Sequence, residues 1–363
     1  MSTLRVTAER LVVVPHPNAD RLELAQVGLY RAVVAKGQFV TGDHAVYIPE
    51  QAVVPDPLIV ELGLTGKLAG AQRNRVKAVR LRGEVSQGIV CTPSALSGTD
   101  LAAAAEARTD FAAELGVTKW VPPVPVSMSG QVEPAPDLLR WIDVENIKRF
   151  PDIFTEGEPV VATEKIHGTA FLLTHLRAED RVLVSSKGIG GRSQALIRTE
   201  GNLYWRAVHS HRLDEAARKL AHALDADRVG LFGEVFGAGV QDLHYGASAA
   251  QDDTLGFALF DLAVEQAGAP VRWLDHHEIG SLLGELGLEI PRVPVLYEGP
   301  YDAELLLKLA EGTETVSGTG GNIREGLVVR AASERYSPVL GGRAIGKIVS
   351  DAYLLRDGGT EFE

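Results

Sequence analysis

The chain has 363 residues, 45% hydrophobic and 23% charged, with a net charge of −12 and one cysteine, Cys91. That length suggests two or three domains with proper cores, and a single cysteine excludes an internal disulfide framework and a cysteine zinc site, as in a reducing cytoplasm. No window approaches 18 uncharged apolar residues, so no transmembrane helix is expected, and Glu9 and Arg10 interrupt the N-terminus before a signal-peptide core. The negative charge argues against non-specific nucleic-acid binding, but it is uneven: residues 1–130 carry net +1 and residues 131–363 net −13.

The first 100 residues read as short strands divided by turns. Arg10–Val14 and Leu22–Val27 are β-rich and separated by the turn Pro15–Asp20. Arg31–Ala35, Ala45–Ile48, Arg75–Leu81 and Gly88–Cys91 follow. Such a series suggests a small β-barrel such as an OB-fold, with a sandwich as the alternative. Lys67, Arg73, Arg75, Lys77, Arg80 and Arg82 fall within sixteen residues that hold no acid. Alternation places Arg73, Arg75 and Lys77 on one strand face, and a bulge would bring Arg80 and Arg82 to it. This is the best candidate for phosphate contacts, against the alternative of a solvated strand. The opening HPNAD…RLELAQVG also has a short similarity to tRNA-binding OB modules.

The alanine-rich Leu101–Leu115 is helix-prone. Trp120–Pro136 holds five prolines and reads as a linker. The expected division is 1–118 barrel, 119–140 linker and 141–363 second domain. From about residue 155 apolar strands alternate with helices, giving an α+β half. Leu213–Leu224 has the 3, 4, 7 spacing of an amphipathic helix, and Val229–Gly237, Leu255–Leu262 and Arg324–Arg330 read as buried strands.

Between two apolar runs stands EKIHGT, residues 164–169. It is either a polar turn or a nucleophile in a pocket. A reacting lysine must be neutral, so a catalytic Lys165 is expected to have a lowered pKa, and Gly168 permits a tight turn. Glu234 in GEVFG, Asp261 in FALFD and Glu325 in REGLVV place carboxylates in or beside apolar strands, which is costly unless they are paired or bind a metal. With Arg343 and Lys347 they suggest a phosphate-bearing ligand. GTGGN at 318–322 lacks the Lys-Ser/Thr of a phosphate loop and precedes a strand, so it reads as a surface loop. His276–His277 has no ligand partners at metal spacing and reads as a surface or capping pair.

The ordered set EKIHG, GEVFG, FALFD, REGLVV and GKIVS resembles motifs I, III, IIIa, IV and V of the covalent nucleotidyltransferases. Histidine at 167, where most DNA ligases and capping enzymes have aspartate, is similar to the RNA ligase branch. With VENIKRFPDIFTEGEPVVAT upstream and SDAYLLR downstream, the chain most resembles the Deinococcus-type RNA ligases. The resemblance implies an N-terminal OB-fold β-barrel followed by an adenylyltransferase (ATP-grasp-like ligase) domain of antiparallel sheets with flanking helices. It implies ATP and a divalent metal, Mg²⁺ or Mn²⁺, as cofactors. The substrate would be RNA, or an RNA/DNA-containing duplex, with 5′-phosphate and 3′-hydroxyl ends, sealed in cytoplasmic nucleic-acid repair.

Residue by residue, Lys165 would carry AMP and His167 would help place the reacting ends or the metal. The Glu164 backbone would lie near adenine, and Glu234 would touch ribose or metal. Phe257 would stack on adenine, with Phe260 as the alternative. Glu325 would bind metal and Lys347 the α-phosphate. The basic residue of motif Ia is Lys187 or Arg192. Motif V commonly reads KxK, but its first place here is Ile345, for which Arg343 is a possible substitute. The alternatives are a DNA ligase, a capping guanylyltransferase, or an RNA- or tRNA-binding protein with an inactive catalytic half.

Overall fold

The computed structural model describes residues 4–141, 143–250 and 252–359. They form two compact units, one of residues 4–121 with 145–151, the other of residues 122–144 with 152–359. No described helix is long and apolar enough to cross a membrane.

The N-terminal unit is built of short antiparallel strands. β1 (Thr7–Arg10), β5 (His44–Ile48) and β8 (Ile89–Cys91) form one sheet, and β2 (Val12–Pro15), β3 (Leu22–Val27) and β4 (Tyr30–Ala35) form a meander. In β4 Tyr30, Ala32 and Val34 are buried and the residues between them are less so, the period-two pattern of a strand with one covered face. The expected long strand over 75–81 is not formed. Only β6 (Val79–Leu81) is extended, paired with β7 (Glu84–Ser86). The residues before it turn, with Arg73 in left-handed backbone at φ 52°. The expected helix over 101–115 covers only α1 (Leu101–Glu106), capped by the Asp100 carboxylate. It stops because Arg108 adopts φ 51° and Asp110 accepts the amide of Val6 instead of continuing the turn.

The proline-rich segment is not a loose spacer. β9 (Val132–Pro134) pairs with β13 (Gln194–Leu196), and Met128, Ala135, Leu138 and Leu139 are buried in the second unit. Proline stiffens this strap, and its apolar side chains fix it.

Two antiparallel sheets dominate the second unit. In one, β10 (Pro159–Lys165) lies between β17 (Val295–Pro300) and β18 (Gly326–Ala331), and β18 pairs onward with β19 (Ile345–Val349). The other has the order β12 (Arg181–Ser186), β11 (Thr169–Leu176), β14 (Arg228–Phe236), β15 (Gly256–Glu265), β16 (Arg272–Trp273). Against this second sheet pack α2 (Leu203–Ser210) and α3 (Leu213–Ala223). Leu213, Ala216, Ala217, Leu220 and Ala221 of α3 are buried, as the spacing requires. The histidine pair opens α4 (His276–Glu285): His276 is buried beside Arg292, and the exposed His277 pairs with Glu298 at 2.7 Å.

Candidate active site

Strand register gathers the charged residues. Thr163 of β10 stands opposite Val328 of β18, which stands opposite Lys347 of β19, and Arg330 stands opposite Ile345. Period two puts all of these, with Lys165, on one sheet face. Ala170, Glu234, Phe260 and Asp261 of the other sheet line the same cavity, together with Glu164, Lys187 and Trp141. Two glycines make the approach possible. A Cβ at Gly168 would lie 2.2 Å from the Val235 carbonyl oxygen and 2.9 Å from Glu234 Cγ. One at Gly326, where φ is 152°, would lie 1.9 Å from the Ile348 oxygen.

Lys165 Nζ donates to Glu325 Oε1 at 2.7 Å. Burial disfavours the charged amine, but Glu325 and Glu234 outweigh it and hold the Lys165 pKa above the ordinary lysine value. The expected lowering is thus reversed: the two carboxylates outweigh both burial and the opposing charge of Arg356. Burial pushes Glu234 up to about 8, Lys165 opposing and Glu325 reinforcing the rise. Glu325 Oε2 is buried without a hydrogen-bond partner. An orphaned carboxylate oxygen beside a second carboxylate suits a divalent cation, although the described residues contain no cluster of three protein ligands. Magnesium and manganese sites of this type take one or two carboxylates and complete the shell with phosphate and water.

Glu164, 1% exposed, accepts the Thr315 amide at 2.9 Å and lies 3.7 Å from Arg324 Nε. Its side chain therefore anchors the loop before β18. Lys187 lines the cavity and pairs with Asp143 at 2.7 Å, whereas Arg192 is exposed and outside the lining, so geometry separates the two motif Ia candidates.

Three expectations need correction. Phe257 is 2% exposed, packs edge-on against Phe171 in the core and does not line the cavity. Phe260 does line it, because a register shift in the β14–β15 ladder falls at this residue. Arg343 does not replace a motif V lysine. It donates to Asp261 at 2.6 Å and to Glu334 at 2.9 Å, with its guanidinium 4.1 Å from the Trp273 ring centroid. Asp261 also accepts from Arg330 at 3.1 Å. His167, 5% exposed, is absent from the cavity lining; its ring turns toward Asp242 and Tyr353.

The sequence reading missed Arg330, Trp141, Asp242, Tyr245, Tyr353 and Arg356. Arg330 carried a signal, since a cation ending the apolar run GLVVR has the same cost of burial as the carboxylates that were noticed.

In the N-terminal unit the six basic residues do not share a face. Arg75 is buried, donates to Gln51 at 2.6 Å and lies 3.3 Å over the Trp120 ring. Lys67 donates to the Gly63 carbonyl and Arg80 to that of Gly83, both from exposed positions. Arg73 and Arg82 are exposed, and Lys77 is half-buried.

Comparison with known proteins supplies the rest. Among curated protein sequences nothing matches. An OB-fold domain model matches residues 5–93. Solved structures of Naegleria gruberi RNA ligase share the fold. The one with PPi is 24% identical, covers 97% of this chain and 98% of that one, and has a TM-score of 0.77. Mutants of the same protein with ATP and Mn, or with AMP and Mn, also superimpose with a TM-score of 0.77 at 24% identity, covering 96% and 97% of this chain and 98% of theirs. The chain is therefore an α+β protein with an N-terminal OB-fold unit and a ligase-type nucleotidyltransferase unit. The RNA ligase family model matches residues 158–349, more than half of the sequence, and the chain belongs to the RNA ligase family.

Proposed function

We propose that the protein seals RNA-containing strands in three nucleotidyl transfers that start at Lys165, with ATP as the AMP donor. The observation that carries this reading is Lys165 in a cavity shared with Glu234, Lys187 and Lys347, its amine donating to Glu325. The Naegleria structures with ATP, AMP and Mn support the choice of nucleotide and metal class.

In the first transfer the Lys165 amine loses a proton and attacks the α-phosphorus. A P–N bond forms as the P–O bond to the β-phosphate breaks, and pyrophosphate leaves. A 5′-phosphate oxygen then attacks the same phosphorus and frees the lysine. Finally a 3′-hydroxyl attacks the activated 5′-phosphate and AMP leaves. Lys347 and Lys187 hold phosphate oxygens, and Phe260 gives the adenine an aromatic face. A divalent ion on Glu325 and Glu234 would neutralise the carboxylates that keep Lys165 protonated and offset charge on the leaving group. The substrate is a 5′-phosphate and 3′-hydroxyl pair at a duplex nick, with ribonucleotides preferred on the 3′-hydroxyl side, as in the Deinococcus-type branch that the motifs resemble. Nucleic-acid repair is the proposed setting. Exposed Arg73, Arg80 and Arg82, with Lys67, supply phosphate contacts in the OB-fold unit.

Incubation with α-labelled ATP or GTP and Mg²⁺ or Mn²⁺, followed by denaturation, tests the mechanism. Label from ATP that Lys165→Ala abolishes is expected. Label from GTP instead would point to capping, and none at all would leave a binding protein. Equal sealing of nicks with all-DNA and ribonucleotide 3′ ends would overturn the RNA preference.

A further inference from the structure

We propose that Tyr353 and Arg356 position the Lys165 turn through His167, so that the segment after β19 is a working part of nucleotidyl transfer. This rests on Lys165 being the nucleophile.

His167 is held at its backbone amide and at both ring nitrogens. Its amide donates to the Tyr245 hydroxyl at 2.9 Å. Its Nε2 lies 2.8 Å from Asp242 Oδ1 and its Nδ1 2.9 Å from the Tyr353 hydroxyl. A carboxylate only accepts, so Nε2 carries the hydrogen and Nδ1 accepts from Tyr353. Arg356 Nη2 lies further from Nε2, at 3.4 Å, and its stronger contacts go elsewhere. Arg356 donates to Asp242 at 2.9 and 3.2 Å, donates to the Tyr353 carbonyl at 2.9 Å, and stacks 3.7 Å over the Tyr353 ring.

The same segment also grips the other side of the site. The Ser350 amide donates to the Glu325 carbonyl at 2.9 Å, its hydroxyl donates to the Arg324 carbonyl at 2.8 Å, and its oxygen accepts the Tyr353 amide at 3.1 Å. Residues 350–356 thus hold one end of the Lys165–Glu325 pair through His167 and the other through the backbone carbonyls of Arg324 and Glu325. An in-line attack tolerates little displacement of the nucleophile, so loosening this clasp slows the chemical step without altering the residues that line the nucleotide cavity.

The test is single-turnover lysyl-AMP formation by the full chain with α-labelled ATP and Mg²⁺, together with thermal melting. Tyr353→Phe removes one hydroxyl. Its maximal rate should fall roughly tenfold, as for one lost positioning hydrogen bond, with half-saturating ATP within about twofold of wild type. Arg356→Ala should follow it. His167→Asn keeps an acceptor near Nδ1, whereas His167→Gln places its amide near Nε2. The asparagine variant should therefore react faster than the glutamine variant, and this advantage should vanish in a Tyr353→Phe background. A merely structural clasp would lower the melting temperature of all of them without that pattern. Wild-type labelling that Tyr353→Phe leaves unchanged, or equal rates for the Asn and Gln variants, would overturn the clasp alone. No labelling of the wild-type chain would overturn the Lys165 reading and the clasp with it.

Discussion

Lys165, Glu234 and Lys347 come from places far apart in sequence and line one cavity, and Glu325 bonds the Lys165 amine. Lys67, Arg73, Arg75, Lys77, Arg80 and Arg82 come from sixteen consecutive residues and do not share a face. Backbone pairing accounts for the difference. In the second unit, β10, β18 and β19 are in register, so side-chain parity is fixed by hydrogen bonds and a residue's neighbours follow from its place in the ladder. Most of the basic segment is turn and loop, where parity means nothing: Lys67 and Arg80 bond nearby carbonyls while Arg75 turns to Gln51 and Trp120.

The largest expected effects fall on the fixed side of this contrast. Glu325→Gln should slow self-adenylylation roughly 10²–10³-fold, the scale of losing one electrostatic partner of the transition state. The pH profile gives a sharper result. Glu325 is the largest influence raising the Lys165 pKa, so in the wild type the rate climbs with pH as the amine deprotonates. Removing that negative charge should move the rising limb to lower pH even as the plateau drops. A limb that stays in place would show that Lys165 does not titrate against Glu325. Glu234 gives a stability counterpart. Its folded pKa of about 8 lies above the unfolded value, so the unfolded chain releases this proton first and stability falls as pH rises from about 4.5 to 8. Glu234→Gln should melt higher than wild type at pH 8, with the gain shrinking toward pH 5.

Next come residues whose motif position and structural position disagree. Phe257→Ala should cost about 3–5 kcal/mol of stability, as for other buried aromatic truncations, and this can be read from denaturant unfolding. Phe260→Ala should cost less stability and instead raise half-saturating ATP about tenfold, the scale of one lost base stack. Arg343→Ala should destabilise by roughly 3–5 kcal/mol, because it takes a cation from buried Asp261, leaving it Arg330 alone, and from half-buried Glu334. A normally stable Arg343→Ala that fails only in phosphoryl transfer would return this arginine to motif V.

Sequence made the strands of the second unit legible because their apolar runs are long and interrupted by few charges. It placed Lys165 and Glu325 well enough to bring them together. It did not resolve Phe257 from Phe260, since the choice turns on one shifted residue in the β14–β15 ladder, which no periodicity announces. His167 was legible as a departure from the aspartate pattern but not as a clasp, because Asp242 and Tyr353 lie 75 and 186 residues away. Helix α1 was overextended because alanine propensity says nothing of the Asp110 side chain that bonds the Val6 amide.

The smallest effects should divide the basic segment itself. Arg75→Ala removes a hydrogen bond to Gln51 and a cation over Trp120, a loss of about 1–3 kcal/mol that salt should hardly change. Arg80→Ala and Arg82→Ala remove exposed side chains and should leave stability within about 0.5 kcal/mol. If they touch phosphates, each should weaken binding of a nicked duplex and lower the slope of log affinity against log salt by about 0.9. Self-adenylylation should be spared, since neither arginine lines the cavity. Should Arg75→Ala instead lower the salt slope at unchanged melting temperature, Arg75 would be a nucleic-acid contact despite its burial. Segment spacing would then have been the better guide than packing.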